Sequence, residues 1–407
     1  MTHERGHGRL MKIAMVTYEC SRRGGVERVV FELSRRFARR GHEVHVFAHQ
    51  WFDMEGEAVQ FHRVGGIPMP GLGLSSRILN FFFFSGWAIR GHAFDITHCH
   101  LYSHHRYDVV TCHGNPAGWA AVMLNGGRPT GTTLGHKAAV GYRLMRPLLL
   151  YNYLPHRHKR VIALSESIKE ELVNLCNTPE ERIVVIPNGV DPEEFHPDNR
   201  RRFRDAIRQR HALQSDDFVF LFVGNAFRRK GLPLLLEAFA KVQEPTARLL
   251  VVGRDDANLP WCLDLADRLG IRGRTVFVGP SEVVNQYYGA CDAFVFPTLY
   301  EACALVPLEA MASGVPVLTT RLAGARDVLT DGCDALLFDD PTDSHLVAEH
   351  MRRILRDTSL HEQLAVSGRT TAERYSWDAV AERTLALYHE IASAKAPHIS
   401  PASTGAF

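Results

Sequence analysis

The sequence has no apolar run long enough to cross a bilayer: its longest, ILNFFFFSGWAI at 78–89, falls short of the ~20 residues a spanning helix needs. A transmembrane segment is therefore not expected. The opening MTHERGHGRL carries charge but no apolar h-region, and it reads as a tail ahead of a strand rather than a secretion signal. Nor is there a CxxC pair. The eight cysteines (Cys20, Cys99, Cys112, Cys176, Cys262, Cys291, Cys303 and Cys333) sit mainly in apolar runs, as reduced thiols used as small hydrophobes do, and disulfides are not expected. The expected compartment is the cytoplasm. No short-period repeat and no nucleic-acid recognition module is visible.

What is present fits a soluble globular protein. A chain of 407 residues exceeds one ordinary core and suits two domains of roughly 150 to 200 residues each, which allows a cleft between them. The net charge of +2 hides an asymmetry: residues 1–160 carry 21 Lys and Arg against 10 Asp and Glu, and 161–407 carry 26 against 35. A basic first half fits an acidic substrate, an anionic membrane surface or nucleic acid, and composition does not choose among them.

The apolar run KIAMVTY (12–18) leads through Gly24 and Gly25 into VERVVFELSRRFARRGH, where Val26, Val29, Val30, Leu33 and Phe37 recur at helical spacing. Further strand-like runs follow at 43–48, 94–99, 108–112, 160–165 and 182–187, separated by helical stretches. After IPNGVDPEEFHP the pattern begins again, with runs at 218–225, 247–253, 274–279, 293–297 and 315–320. Each half therefore predicts an α/β fold with a mostly parallel, doubly wound sheet. The expected domains are 1–190, 191–375 and a crossover helix at 376–393, begun by Ser376 and packing back on the first domain, with the hinge between Pro187 and Pro197. Ligands of such sheets bind beyond the carboxyl ends of the strands, so the chemistry belongs in the shared crevice.

Two glutamates with seven residues between them stand in YEACALVPLEAMASG, a stretch otherwise small and apolar. Glu301 follows a strand, and a helix then begins whose N-terminal amides attract anions. Helical rise alone would put Glu309 ~12 Å further on, the scale of a sugar joined to a nucleoside through a diphosphate. Each carboxylate could accept from paired hydroxyls, one set on the sugar and one on the ribose. Taken by itself, Glu309 fits a solvated helix position equally well. In VGNAFRRKG (223–231), Arg228 and Lys230 could hold a diphosphate, with Arg229 turned elsewhere by strand parity. A basic loop by itself is more often solvated surface.

The glutamate pair, the VGN…RRKG loop, the opening GGVERVVFELSRRFARRGHEVHVFA and IVVIPNGVDPEEF together resemble family-4 retaining glycosyltransferases of the GT-B fold. The likeness runs from about residue 12 to about 393 and is strongest to the branch of lipopolysaccharide-core glucosyltransferases. It implies that Glu301 contacts the donor sugar and Glu309 the ribose, and that Arg228 and Lys230 hold the diphosphate. Gly24 and Gly25 would close over the phosphates, and His113 would lie near sugar and acceptor as a catalytic-site residue. Asn225 stands where many relatives carry Arg. Ala302, Cys303 and Ala304 replace a common GFG, and their backbone, with that of Leu305, would still approach phosphate.

The resemblance further implies transfer of a hexose, with a lean toward UDP-glucose, to a glycan or glycolipid acceptor in cell-envelope polysaccharide or lipopolysaccharide synthesis. The anomeric configuration would be retained, with no metal and no cofactor, the nucleotide sugar being a substrate. No nucleic-acid partner is expected. Nucleobase contact is expected near VGPSE (278–282). Two alternatives share the fold: a nucleotide-sugar 2-epimerase, against which the glutamate pair speaks, and a catalytically silent binding protein. The histidines of THCHLYSHH raise a metal site, but no cysteine or carboxylate completes a ligand set. Arg77 and Arg90 flank Phe81, Phe82, Phe83, Phe84 and Trp87, either in a helix packed on the first sheet or in one lying at the cytoplasmic face of the inner membrane. The basic, aromatic stretch 141–160 is a second such candidate.

Overall fold

Strands rich in Val, Ile, Leu and Phe that are buried on both faces can only pair in parallel beneath helices, and the chain does this twice. The computed structural model describes residues 9–67, 73–100, 103–114, 147, 150–322, 324 and 327–395. The first eight residues, and 141–146, 148 and 149 of the stretch 141–160, lie outside that set. The first sheet has seven parallel strands in the order Val59–Arg63, Glu43–Ala48, Lys12–Val16, Ile96–Cys99, Tyr107–Cys112, His158–Ala163 and Ile183–Val185. The second has six, in the order Thr275–Gly279, Ala247–Val252, Phe218–Val223, Ala293–Phe296, Val317–Thr320 and Leu336–Phe338. Val59–Arg63 and Leu336–Phe338 were not expected from the sequence; they are edge strands, one with weak alternation and one only three residues long.

In both sheets the strand order reverses beside the first strand. The switch lies between Lys12–Val16 and Ile96–Cys99 in one sheet, and between Phe218–Val223 and Ala293–Phe296 in the other. Loops leaving the two sides of a switch point diverge and open a crevice. Gly24, His100, Lys230 and Glu301 all lie on these loops.

The crossing between lobes is a narrow paired strip. Val190 N–H donates to Tyr375 O (2.9 Å), and Trp377 N–H donates to Val190 O (3.0 Å). Trp377 is fully buried here, against Gly189, where an added Cβ would lie 2.9 Å from the indole. The last helix, Trp377–Lys395, begins at Ser376, whose Oγ accepts from Ala379 N–H. It lies on the first lobe, with Tyr388 hydroxyl at His98 and Lys395 Nζ 2.8 Å from Asp108 Oδ2.

The aromatic segment divides between two roles. It forms the helix Gly73–Ala88, with Phe81 and Phe82 in the interior and Phe83 and Trp87 exposed by 55% and 69%. A sequence of adjacent phenylalanines has no polar face, but only one side of it meets the sheet.

Gly231 brings the two switch-point loops of the second lobe into contact. Its φ is +79°, and a Cβ there would fall 1.9 Å from the carbonyl oxygen of Pro297. Gly231→Ala adds left-handed strain to that clash, so it should lower unfolding stability by roughly 2–4 kcal/mol. Urea unfolding measures this; an unchanged midpoint would contradict the close approach.

Candidate active site

Lys230 and Arg229 meet Glu301 on a single oxygen. Lys230 Nζ pairs with Oε1, and Arg229 Nη1 donates to the same Oε1 at 2.5 Å and to Tyr300 O at 3.2 Å. Glu301 Oε2 has no protein partner among the described residues, and Glu301 lines a pocket of about 370 Å³ open to solvent. Burial draws the Lys230 ammonium below the usual lysine range, and Glu301 opposes that shift.

Arg229 therefore does not turn away, as strand parity implied. Alternation holds for extended chain, whereas residues 225–231 form turns, with Ala226 at φ +55°. Arg228 packs instead over the Trp261 ring, 4.7 Å from its centroid, with its buried Nε lacking a hydrogen-bond partner. Asn225 Oδ1 accepts from Arg254 N–H at 2.7 Å and braces the loop against the next strand's end.

Beyond Glu301 the chain stays non-helical to Ala304, the N-cap of the helix Leu305–Ala312. The ~12 Å separation from Glu309 assumed helical rise over this whole stretch; four residues of it are loop. Ala304 places no side chain over the first turn. Pro307 has no N–H, so the amides of Leu305 and Val306 are the donors without an intrahelical partner there. The loop is fixed from both sides. Asn188 Nδ2 donates to Cys303 O (2.7 Å), and the Ala302 carbonyl sits where a Cβ on Gly324 would come within 2.1 Å. Burial pushes the Cys303 thiol up to about 12, so it packs as an inert side chain.

Glu309 is buried, not solvated, at 7% exposure. Tyr288 hydroxyl donates to its Oε2 at 3.2 Å, and Arg28 Nη1 of the first lobe stands 3.6 Å from Oε1. Arg28 also pairs with Glu194 at 2.7 Å and lies over the ring of Phe195. Burial raises the Glu309 pKa, and the nearby Arg28 counteracts it. Arg28 and Tyr288 were not found from the sequence, since neither is near Glu309 in the chain. The VER of GGVERVV, which places a cation one turn inside the glycine-led helix, was the available signal for Arg28.

Gly24 takes φ +83°, and Gly25 is the N-cap of the helix Val26–Arg39 that carries Arg28. Arg23 beside them reaches Glu282 of VGPSE at 2.5 Å, so the glycine turn already touches the second lobe. His113 ends the strand Tyr107–Cys112, with its Nε2 3.0 Å from His100 Nδ1. Burial lowers its pKa to about 3. Cys112 packs in one apolar cluster with Tyr300, Ala302 and Cys303, which sets this strand end against the Glu301 segment. All eight cysteines are reduced thiols, and seven are buried.

Two doubly wound lobes facing across a crevice make this a protein of the GT-B architecture. Residues 203–371 match the family described as Glycosyl transferases group 1, and residues 23–194 match Glycosyltransferase Family 4. An uncharacterized glycosyltransferase of Methanocaldococcus jannaschii is 29% identical over 389 residues, 93% of this chain and 98% of that protein. The lipopolysaccharide glucosyltransferase WaaG of Escherichia coli is 23% identical over 372 residues, 89% of this chain and 94% of its own. The crystal structure of WaaG superposes with a TM-score of 0.75 at 22% identity, covering 91% of this chain and 98% of WaaG. That of Anabaena Alr3699/HepE with UDP-glucose gives 0.69 at 17%, covering 94% and 99%. The chain belongs to the group 1, family 4 glycosyltransferases of the GT-B fold.

The ribose role that the resemblance implies for Glu309 needs an ionised carboxylate, so UDP binding through it is expected to weaken as pH falls through its raised pKa. Arg28→Met removes the cation that opposes the rise, and the weakening should begin at higher pH. A Coulombic loss of one pKa unit corresponds to about tenfold in UDP affinity on the acid side. Calorimetric titration of UDP from pH 5 to 8 checks this; superimposable profiles for variant and parent would refute it.

Proposed function

We propose that the protein is a retaining, metal-independent hexosyltransferase that takes a sugar from a nucleotide diphosphate of the UDP-glucose type. The acceptor is a glycan or glycolipid of cell-envelope polysaccharide or lipopolysaccharide synthesis, met at the cytoplasmic face of the inner membrane. The observation that carries this reading is the pairing of Glu301 with Lys230 and Arg229 beside an uncapped helix mouth.

The loop holds Arg229 and Lys230 against the single carboxylate of Glu301, an excess of one positive charge, while Arg228 lies over the Trp261 ring. That excess, together with the helix-mouth amides, offsets charge on a diphosphate. As the bond from anomeric carbon to phosphate lengthens, negative charge grows on the departing oxygens, and fixed cations with the Leu305 and Val306 amides stabilise it more than the ground state. Glu301 has a different part. With Oε1 held by two cations it is a poor nucleophile, and its free Oε2 accepts sugar hydroxyls and sets the ring's orientation. Glu309, with one oxygen on Tyr288 and the other facing Arg28, takes the ribose hydroxyls. Retention then follows from attack on the same face as departure, a leaving phosphate oxygen taking the acceptor's proton. The reading draws support from solved neighbours whose crystals hold UDP and UDP-glucose and from the likeness to a lipopolysaccharide glucosyltransferase.

Among the described residues no helix is long and apolar enough to cross a membrane. Membrane contact is instead assigned to Phe83 and Trp87, one helical turn apart on the exposed side of Gly73–Ala88, with exposed Arg77 and Arg90 at its ends.

UDP should raise the melting temperature, GDP should do so less, and Lys230→Ala should abolish the UDP shift. With acceptor present, EDTA should leave turnover unchanged and the product should keep the donor's anomeric configuration by proton NMR. An undiminished UDP shift in Lys230→Ala would remove the diphosphate assignment. For the membrane face, Phe83→Ser with Trp87→Ser should reduce co-sedimentation with anionic vesicles by about tenfold or more, two buried aromatic side chains being worth over 1.4 kcal/mol. Equal pelleting of variant and parent would reassign that surface.

A further inference from the structure

Two histidines of THCHLYSHH form rungs between neighbouring strands. His98 Nε2 meets Thr111 Oγ1 at 2.7 Å, and His100 Nδ1 meets His113 Nε2 at 3.0 Å, each rung joining residues 13 apart in sequence. Two-residue periodicity puts His98 and His100 on one face of their strand, and Thr111 and His113 on the matching face of the next. The imidazoles of His98 and His100 lie with centroids 4.0 Å apart, and Tyr388 of the last helix closes the far end at His98 Nδ1, 2.5 Å away.

Proton placement along the second rung is decided by the atom at its back. His100 is 2% exposed, and its Nε2 is buried with no hydrogen-bond partner. If His113 donated from Nε2, His100 would accept at Nδ1 and carry its own proton on Nε2, leaving a buried N–H without an acceptor. Orphaned N–H groups are rarer in folded proteins than under-used acceptors. The opposite arrangement leaves only an unused lone pair at that atom. His100 then donates from Nδ1 to His113 Nε2, and the single proton of a neutral His113 sits on Nδ1. His113 is half-buried at the strand's carboxyl end, and its Nδ1 has no protein partner among the described residues.

We propose that His100 is a positioning residue that fixes His113 as the Nδ1–H tautomer, so that the group offered to the crevice is a neutral hydrogen-bond donor and not a base. The ligand atom it fits is an oxygen with a free lone pair, such as a hydroxyl of the donor sugar. This rests on the proposed transfer reaction only for its kinetic consequence; the tautomer can be read without turnover. Burial of all three imidazoles holds them neutral across the working pH range.

Histidine-selective nitrogen-15 NMR of the full chain reads the tautomer, with the His113 signals assigned by their loss in His113→Asn. His113 should show a protonated Nδ1 and a bare Nε2 from pH 5 to 8. His100→Phe should shift the population to the Nε2–H form and lower kcat by about tenfold or more, with the donor KM little changed, while His100→Asn restores a donor at the Nδ1 position and recovers both signals. At position 113 itself, Asn, whose amide nitrogen mimics Nδ1, should retain more activity than Gln, whose nitrogen mimics Nε2. A parent protein with His113 protonated on Nε2 overturns the proposal while leaving the transferase reading intact. Absence of any sugar transfer by a parent showing the Nδ1–H signal would sink the transferase reading and leave the tautomer assignment standing. Thermal unfolding of each variant identifies misfolding, and should His100→Phe misfold, the comparison of Asn with Gln at position 113 decides the matter.

Discussion

A carboxylate that must orient a sugar sits within reach of the diphosphate that sugar leaves behind, and two anions cannot share a half-buried site unless cations are interposed. The ion pairs of Lys230 and Arg229 with one oxygen of Glu301 meet that constraint. They depend on Gly231, the only kind of residue that lets the basic loop approach Pro297 so closely. They also depend on Asn188, which holds the Cys303 carbonyl from the hinge side. Charge at this point is therefore a property of how two loops of one switch point touch, and the sheet topology is what makes them touch.

The second carboxylate is solved differently. Glu309 is reached by a cation from the opposite lobe, so its ionisation is tied to the position of that lobe. Arg28 stands one turn into the helix that Gly25 begins, and any movement of the glycine turn toward a bound diphosphate carries Arg28 with it. Tyr300 hydroxyl on Glu171 (2.9 Å) and the Glu166 amide on Asp327 (2.6 Å) add polar contacts between the lobes. Burial lifts the Glu171 carboxyl to about 7, so that contact alters its charge near neutrality. Hydrogen bonds of this kind exchange readily with water, which suits a crevice that opens and closes around a substrate.

How much of this was legible in the sequence follows from how local each signal is. Runs of β-branched and aromatic residues announced both sheets, and Glu301, Lys230 and the helix mouth could be read because each lies directly after a strand. Glu309 could be placed but not its burial, because helical spacing does not say which lobe covers a face. Arg229 was misread by carrying the strand's alternation into a turn. Arg28, Tyr288 and Asn188 meet the site only through tertiary folding, and without the register of strand 96–99 against strand 107–112 nothing assigns His100 to His113.

In the proposed transfer, positive charge belongs at the leaving oxygens, the part assigned to the basic loop of the second lobe. At the anomeric carbon positive charge is itself developing, so a fixed cation nearby would raise the barrier that the basic loop lowers. The first lobe, for all its surplus of Lys and Arg, carries at these strand ends imidazoles that burial keeps uncharged and that the rungs between strands hold in place. On the first helix, Arg28 is meanwhile absorbed by Glu32, Glu194 and Glu309, and Arg35 and Arg36 by Glu32. Net charge of a lobe is thus a poor guide to the field at the reacting carbon; what decides it is which groups are buried there and in which protonation state.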